Sequence, residues 1–295
     1  MSTYRNQKSE SETRLSPPKG GERSSQHPKA DAKSKEFSKS GPNKGSKGKP
    51  WLKKSASDDG PYYIYGLHTV EAAFNNPDRK RHTLVVTQNA LRRLEERNVT
   101  IDVPIESKSP RDIDRMVSKD AVHQGILLLV DPLPEYDASE LEEGTLVLAL
   151  DQVTDPHNVG AILRSAVALG ADAVVTTTRH APEEGGVLAK AASGALDMLK
   201  HVRVPNMSRF VGEMQKMGYQ AIALDSEGPA SLEDTPFTYK TLLVLGSEGK
   251  GVREGVRKNC DALARLDMPG PIKSLNVSNA AILSLYVARM KMGLS

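Results

Sequence analysis

Residues 143–295 predict an α/β fold, a mostly parallel sheet covered by helices on both faces, with a smaller α/β unit in front of it. Three observations carry this. Short apolar runs such as Leu146–Leu150 and Leu242–Leu245 have the character of strands buried on both faces. Amphipathic stretches with helical spacing alternate with them. Polar and glycine-rich turns follow several of the runs, and sheets of this class bind ligands at the carboxyl ends of their strands.

The chain has 295 residues, enough for about two domains. It carries 40 Lys and Arg against 37 Asp and Glu, but residues 1–60 alone hold 14 and 7. The remainder is left with 26 and 30, slightly acidic. Residues 1–60 contain no Val or Ile and are rich in Ser, Lys, Gly and Pro, so they read as a disordered basic tail. Such an arm can hold a polyanion through counterion release, or serve only to solubilise. Glu10, Glu12, Glu22, Asp31 and Glu36 interrupt it, which argues against an organellar transit peptide. No apolar run is long enough to span a bilayer, so no membrane role is expected and the location should be cytoplasmic. Cys260 is the single cysteine, and no Cys-x-x-Cys or His-Glu-x-x-His pattern occurs, so no metal site is expected.

The small unit spans 61–133. Tyr62–Tyr65 reads as a strand broken by Gly66, and Leu67–Phe74 has helical spacing. Thr83–Thr87 is a second strand, Leu91–Arg97 a short helix and Val103–Ile105 a third strand. Ser109 can cap a helix over Pro110–Val117, with proline at its first position. Gly125–Val130 is a buried strand. Gly66-Leu67-His68 sits at a strand-to-helix turn and His123-Gln124-Gly125 at a strand entry; both are ordinary turns, or a surface where His68, His123 and Gln124 hold RNA. Residues 134–142 are Pro-rich and polar and form the linker.

In the large unit, strands are expected at Leu146–Leu150, Ala173–Thr177, Val202–Val204, Ala221–Leu224, Leu242–Leu245 and Leu263–Leu266. Helices are expected near 159–169, 184–196, 208–217, 254–259 and 275–291. Three unusual stretches follow strands. After the first, Asp155-Pro156 makes a turn, Asn158 can cap the helix, and Arg164 lies beside the apolar stripe of that helix. After Leu242–Leu245 comes Gly246-Ser-Glu248-Gly-Lys-Gly251, which matches neither Gly-x-Gly-x-x-Gly nor Gly-x-x-x-x-Gly-Lys-Ser/Thr. Glu248 would repel phosphate there, so the loop suits a neutral or cationic ligand bearing hydroxyls. After Leu266 a Pro-Gly-Pro turn leads to Ser274-Leu275-Asn276, polar residues that can cap the last helix.

Together, Asp155-Pro-His-Asn158…Arg164, Leu245-Gly-Ser-Glu-Gly249 and Ser274-Leu-Asn-Val-Ser278 resemble the three signature motifs of the SpoU (TrmH-type) family of RNA ribose 2′-O-methyltransferases. The resemblance covers 143–295, and the front unit resembles the RNA-binding domain of the same family, on the branch that methylates a guanosine ribose in 23S ribosomal RNA. It implies a deep C-terminal trefoil knot, an exception to un-knotted topology. It implies S-adenosyl-L-methionine as cofactor, held by Gly246, Leu266 and Leu275 with help from Met268, Ser274 and Asn276, and with Leu224 on the adenine side. It implies a homodimer with active sites built from both subunits, and no metal.

Family opinion makes the residue matching Arg164 a general base. Guanidinium scarcely deprotonates, so stabilising the forming alkoxide or gripping a phosphate is the alternative role. By the same resemblance Asn158 orients the ribose or Arg164, Glu248 orients Arg164 or a group across the dimer, and Ser274 and Asn276 shape the site around the methyl. The chain departs from the family at Asp267, where proline is usual, and at Asn279, where a small or apolar residue is common. The competing readings are the same reaction on transfer RNA, a non-catalytic ribosome-assembly or RNA-binding factor, and a nucleotide-dependent oxidoreductase, which the missing dinucleotide fingerprint disfavours.

Overall fold

The computed structural model describes residues 60–294, so the basic tail, Gly60 apart, lies outside the described residues. Among the described residues there are two sheets. The small one contains β1 (Tyr62–Tyr65), β2 (Arg81–Val86), β3 (Ile105–Ser107) and β4 (Ile126–Val130) in the order β1-β4-β2-β3. β4 pairs antiparallel with β1 and β2, while β3 adds parallel to β2. Helices α1 (Leu67–Asn75), α2 (Gln88–Glu95) and α3 (Pro110–Asp114) connect them. Ser109 caps α3 as its position foretold, accepting from Asp112 N–H, although that helix stops three residues short of Val117. The expected third strand lies later, because Pro104 cannot donate to a ladder.

The large sheet has seven strands, all paired in parallel. In chain order they are β5 (Leu146–Asp151), β6 (Ala173–Thr177), β7 (Lys200–Val204), β8 (Gln220–Leu224), β9 (Ala230–Ser231), β10 (Thr241–Gly246) and β11 (Ala262–Arg265). Their spatial order is β7-β6-β5-β10-β8-β11-β9. Every residue of β5 is buried, as expected of a strand covered on both faces. The two-residue β9 leaves no apolar run to find in the sequence. Helices α4 (Pro156–Ala168), α5 (Gly186–Ala192), α6 (Met207–Lys216), α7 (Glu254–Arg257) and α8 (Val277–Met292) complete the domain. A 3-10 turn at Ala195–Asp197 replaces the end of the helix expected to reach 196, after Ser193 and Gly194 take left-handed backbone. Another, Ala138–Leu141, closed by a capping box between Asp137 and Glu140, structures the expected linker.

One buried cluster runs through both sheets. Ile64 and Leu128 of the small sheet and Val70 of α1 belong to the same core as Leu188 and Ala192 of α5 and Leu148 of β5. The opposite face of the large sheet packs on α6 through Phe210, Val211 and Met214. Among the described residues, no helix is long and apolar enough to cross a membrane.

Candidate active site

β5, β6 and β7 progress to one side of the large sheet, whereas β10, β8 and β11 lie on the other. The direction of winding therefore reverses between β5 and β10, the position at which open α/β sheets leave a crevice for ligands. The polar stretches after β5, β10 and β11 meet there.

The turn after β5 differs in detail from expectation. Asp155, not Asn158, caps α4: its carboxylate accepts from His157 N–H, and Pro156 takes the first helical position. Asn158 is thereby released from capping and lies in the first turn of α4. Its Nδ2 donates to Glu248 Oε1 at 3.3 Å, and its Oδ1 accepts from Asn276 Nδ2 at 3.0 Å. Asn276 Nδ2 also approaches Glu248 Oε1 at 2.8 Å, and Val277 N–H reaches the same oxygen at 3.3 Å. Glu248 thus sits at the N-terminus of α8, where the helix dipole favours an anion. Its other oxygen has no partner among the described residues and stays free to accept. Asn276 caps α8 as expected, through Ser278 N–H at 2.8 Å.

A second pair holds the glycine loop that carries Glu248. Asp151, fully buried at the end of β5, accepts from Arg253 N–H at 3.0 Å and from its guanidinium Nη2 at 2.6 Å. This bond pins the far end of the loop beside its start. A Cβ at Gly246 would lie 1.9 Å from Gly251 C, so the loop folds back too closely for any other residue at 246. Sequence reading missed Asp151 and Arg253. The one available signal was a carboxylate ending an otherwise apolar strand.

Beside the cluster opens a cavity of ≈ 430 Å³, lined by Leu224, Gly246, Leu266, Met268, Ser274 and Leu275 among others. All six were expected to hold the cofactor; Asn276 stands at the edge through its bond to Glu248, itself a lining residue. The size suits a nucleoside-sized ligand. The lining joins four leucines, Leu224, Leu245, Leu266 and Leu275, to carboxylates at Asp225, Glu227 and Glu248, apolar surface and acceptors matched to an adenine ring, ribose hydroxyls and a cationic centre. The backbone N–H of Glu227, with Arg257 adding to it, holds the Asp225 carboxyl below the usual carboxylate range. Asp267, where the family has proline, is held by Arg265 Nε at 2.8 Å.

Arg164 stands apart. It is exposed on α4 and makes no hydrogen bond or ion pair among the described residues. It lies six positions after Asn158 on the helix, about 9 Å along the axis. α4 and α8 run side by side in the same direction: Asn158 meets Asn276 at their starts, and Arg289 lies 3.2 Å from where a Cβ of Gly170 would be at their ends. Arg164 is thus level with Ile282 and Leu283 of α8; these, and Tyr286 and Met290 further along the helix, are 40% to 64% exposed.

The expected RNA-facing residues have unequal freedom. His68 is exposed, near Glu71 and Arg97. Both ring nitrogens of His123 are engaged, Nε2 with Asp114 Oδ1 at 2.8 Å and Nδ1 with Gly125 N–H at 3.0 Å. Gln124, with left-handed backbone, accepts at Oε1 from Leu67 N–H and from the Lys190 ammonium, both at 3.1 Å. It ties the start of α1 to α5. Among the described residues no cluster of three or more His, Cys, Asp or Glu is placed to hold a metal ion.

Residues 145–286 match the family described as SpoU rRNA Methylase, and residues 63–136 match RNA 2'-O ribose methyltransferase substrate binding. The 23S rRNA (guanosine-2'-O-)-methyltransferase RlmB of Pseudomonas aeruginosa is 33% identical over 234 residues, covering 76% of this chain and 94% of that protein. The protein of the same name from Escherichia coli K12 is 32% identical over 235 residues, covering 76% and 96%. Among solved structures, the SpoU methyltransferase AviRb from Streptomyces viridochromogenes in complex with the cofactor AdoMet superposes with a TM-score of 0.68 at 25% identity. That match covers 80% of this chain and 92% of AviRb.

Proposed function

The chain belongs to the SpoU rRNA methylase family, and on that premise we propose that it methylates the ribose 2′-hydroxyl of a guanosine in 23S ribosomal RNA, using S-adenosylmethionine. The observation that carries the reading is the Asn158–Glu248–Asn276 cluster at the mouth of a nucleoside-sized cavity, at the reversal point of a parallel sheet.

The residues present fit the cofactor. Leu224, Leu266 and Leu275 offer apolar contact to adenine, and backbone at Gly246 and Met268 offers polar contact to the nucleoside. Bound there, S-adenosylmethionine supplies a methyl group on a positively charged sulfur. The carboxylate of Glu248 lies where it can attract positive charge and, through its free oxygen, accept from a ribose hydroxyl. Asn158 and Asn276 fix that carboxylate from two sides, while Ser274 narrows the mouth. Arg164 stabilises the negative charge that grows on the attacking 2′-oxygen; the general-base role would require a deprotonated guanidinium, which its chemistry disfavours.

Arg164 is too far along α4 to join its own chain's cluster without a second surface. We assign it to the site of a partner copy. The exposed apolar face of α8 beside it supports a homodimer through α4 and α8. The glycine loop folded on Gly246, together with the segment that carries Asn276 back to Glu248, is consistent with a trefoil knot. The small unit, residues 61–133, is assigned to RNA binding through its exposed surface around His68; Gln124 and His123 serve by shaping it. Residues 143–295 are assigned the chemistry and the protein is assigned to the cytoplasm, where ribosomal RNA is reached.

Transfer of a tritiated methyl from S-adenosylmethionine to undermodified 23S RNA, followed by mapping, tests the proposal. A single 2′-O-methylguanosine is expected. Labelling of transfer RNA alone would move the substrate, and binding of ribosomal RNA without transfer would make the protein a non-catalytic factor.

A further inference from the structure

The small sheet is fastened to the large one by a buried ionic cluster that the chemistry above does not use. Arg79 follows α1 in the small unit and is 1% exposed. Its Nε donates to Asp197 Oδ1 at 2.7 Å and its Nη2 to Asp197 Oδ2 at 3.2 Å, a two-pronged grip on a carboxylate whose side chain is 0% exposed. Its Nη1 donates to Glu184 Oε1 at 2.6 Å and to the Asp131 carbonyl at 3.0 Å. Asn76 Nδ2 adds a bond to Asp197 Oδ1 at 3.1 Å. Glu184 in turn accepts from the Tyr62 hydroxyl and from Leu133 N–H. Arg79, Asn76, Tyr62 and the strand end at Asp131 belong to the small unit, whereas Glu184 and Asp197 flank α5 of the large one.

Close backbone approach surrounds this cluster. A Cβ at Gly186 would lie 2.7 Å from the Tyr63 carbonyl oxygen, and one at Gly194 would lie 2.8 Å from Ala72 Cβ. Thr69 Oγ1 reaches the Ala189 carbonyl at 3.3 Å. α5 is seated just as tightly on α4, since a Cβ at Gly160 would lie 2.4 Å from Ala191 Cβ. Small sheet, α5 and α4 therefore form a continuous rigid path, and α4 carries Asn158 and Arg164.

Resting on the reading that the small unit holds RNA, we propose that Arg79 is a positioning residue. Clasping Asp197 and Glu184, it fixes the RNA-binding sheet at a set distance from Asn158, so that the enzyme chooses its nucleotide by spacing from RNA contacts outside the methyl-donor site. An ion cluster this buried adds little net stability over an apolar replacement, whereas the two-pronged grip on Asp197 is geometrically exacting, which is what a spacer requires. Lysine cannot reproduce the planar fork.

The test compares Arg79→Lys and Asp197→Asn with the unaltered protein on two substrates: a 23S domain large enough to touch both sheets, and a short hairpin carrying only the mapped nucleotide. On the long RNA, kcat/KM should fall about 10- to 100-fold, the scale of an ångström-level misplacement. Transfer to the hairpin and the Kd for S-adenosylmethionine should change less than about twofold, within the scatter of surface changes. Cleavage by a glutamate-specific protease between residues 131 and 145, which hold Glu135, Glu140, Glu142 and Glu143, should quicken. Equal losses on both RNAs would make the cluster merely structural and overturn the proposal, as would unchanged activity on the long RNA. If both variants fail to fold, Tyr62→Phe removes one uncharged hydroxyl from the cluster, and the same long-RNA-selective loss, smaller in size, is required of it. An unaltered protein inactive on both RNAs would remove the methyltransferase reading itself.

Discussion

The proposed chemistry turns on Arg164, which has no partner of its own among the described residues. Arg164→Ala should cut methyl transfer at least 1,000-fold, about 4 kcal/mol of transition-state stabilisation, with S-adenosylmethionine binding unchanged by calorimetry. Mixing it with an Asn158→Ala variant should restore up to about a quarter of the activity if the site is shared between copies, because random pairing leaves one intact site in half of the dimers. Arg253→Ala leaves Asp151 buried without its cation. The cost should be about 2 kcal/mol in urea melts, below the range for fully enclosed pairs because half of Arg253 faces solvent, and cofactor affinity should fall as the glycine loop loosens. His201 belongs to a different account. Burial pushes its imidazole from the ordinary histidine range down to about 4, and it is bonded to Thr176. The neutral form is the one the fold accepts. Stability is therefore full above the unfolded histidine pKa and falls as pH drops through it toward 4; between pH 7 and 5 the loss should be about 2 kcal/mol. His201→Gln should flatten that limb of the pH profile. Asn158, Glu248, Ser274 and Asn276 were all visible in the sequence as polar residues in odd company. Asp151 and Arg253 were not, because a carboxylate at a strand end and an arginine after a loop become a pair only when β5 and β10 lie side by side.

At the scale of elements, α8 divides its two faces sharply. Ala281, Leu285 and Ala288 are buried, while Ile282, Leu283, Tyr286 and Met290 are exposed. An apolar stripe on each side of one helix is the pattern of an element that meets a second partner. Tyr286→Asp should shift the protein to monomer in sedimentation velocity and abolish transfer while cofactor binding persists; a monomeric unaltered protein would remove the shared-site reading. The strands of the large sheet were legible because burial on both faces leaves unbroken apolar runs. β9 was not, being too short to leave a signal, and the helix start at Pro156 was misplaced because two nearby residues, Asp155 and Asn158, have equal capping chemistry and only the backbone decides between them. The links between the sheets escaped notice for a related reason. Arg79 and Asp197 are 118 positions apart and each reads as an ordinary surface charge.

At the scale of the whole molecule, charge is uneven. The first 60 residues carry 14 of the 40 Lys and Arg, and the rest is slightly acidic. Deleting them should weaken RNA binding at low salt far more than at high salt, with a shallower slope of log K against log salt; equal slopes would show the tail to be a bystander. The small and large units share one core, so their separation in sequence overstates their independence. The middle of the large sheet has a further consequence. β5 finds its neighbour β10 only after some ninety intervening residues, with Thr241 paired to Leu146 and Gly246 to Asp151. During synthesis β5 emerges with one flank bare and waits for most of the remaining chain. Ladders closed over such long loops form slowly, and an unpaired inner strand invites pairing with another molecule. Maturation of this protein is thus governed by its last-made third, and until that part leaves the ribosome the polypeptide can neither bind its methyl donor nor protect its most adhesive edge.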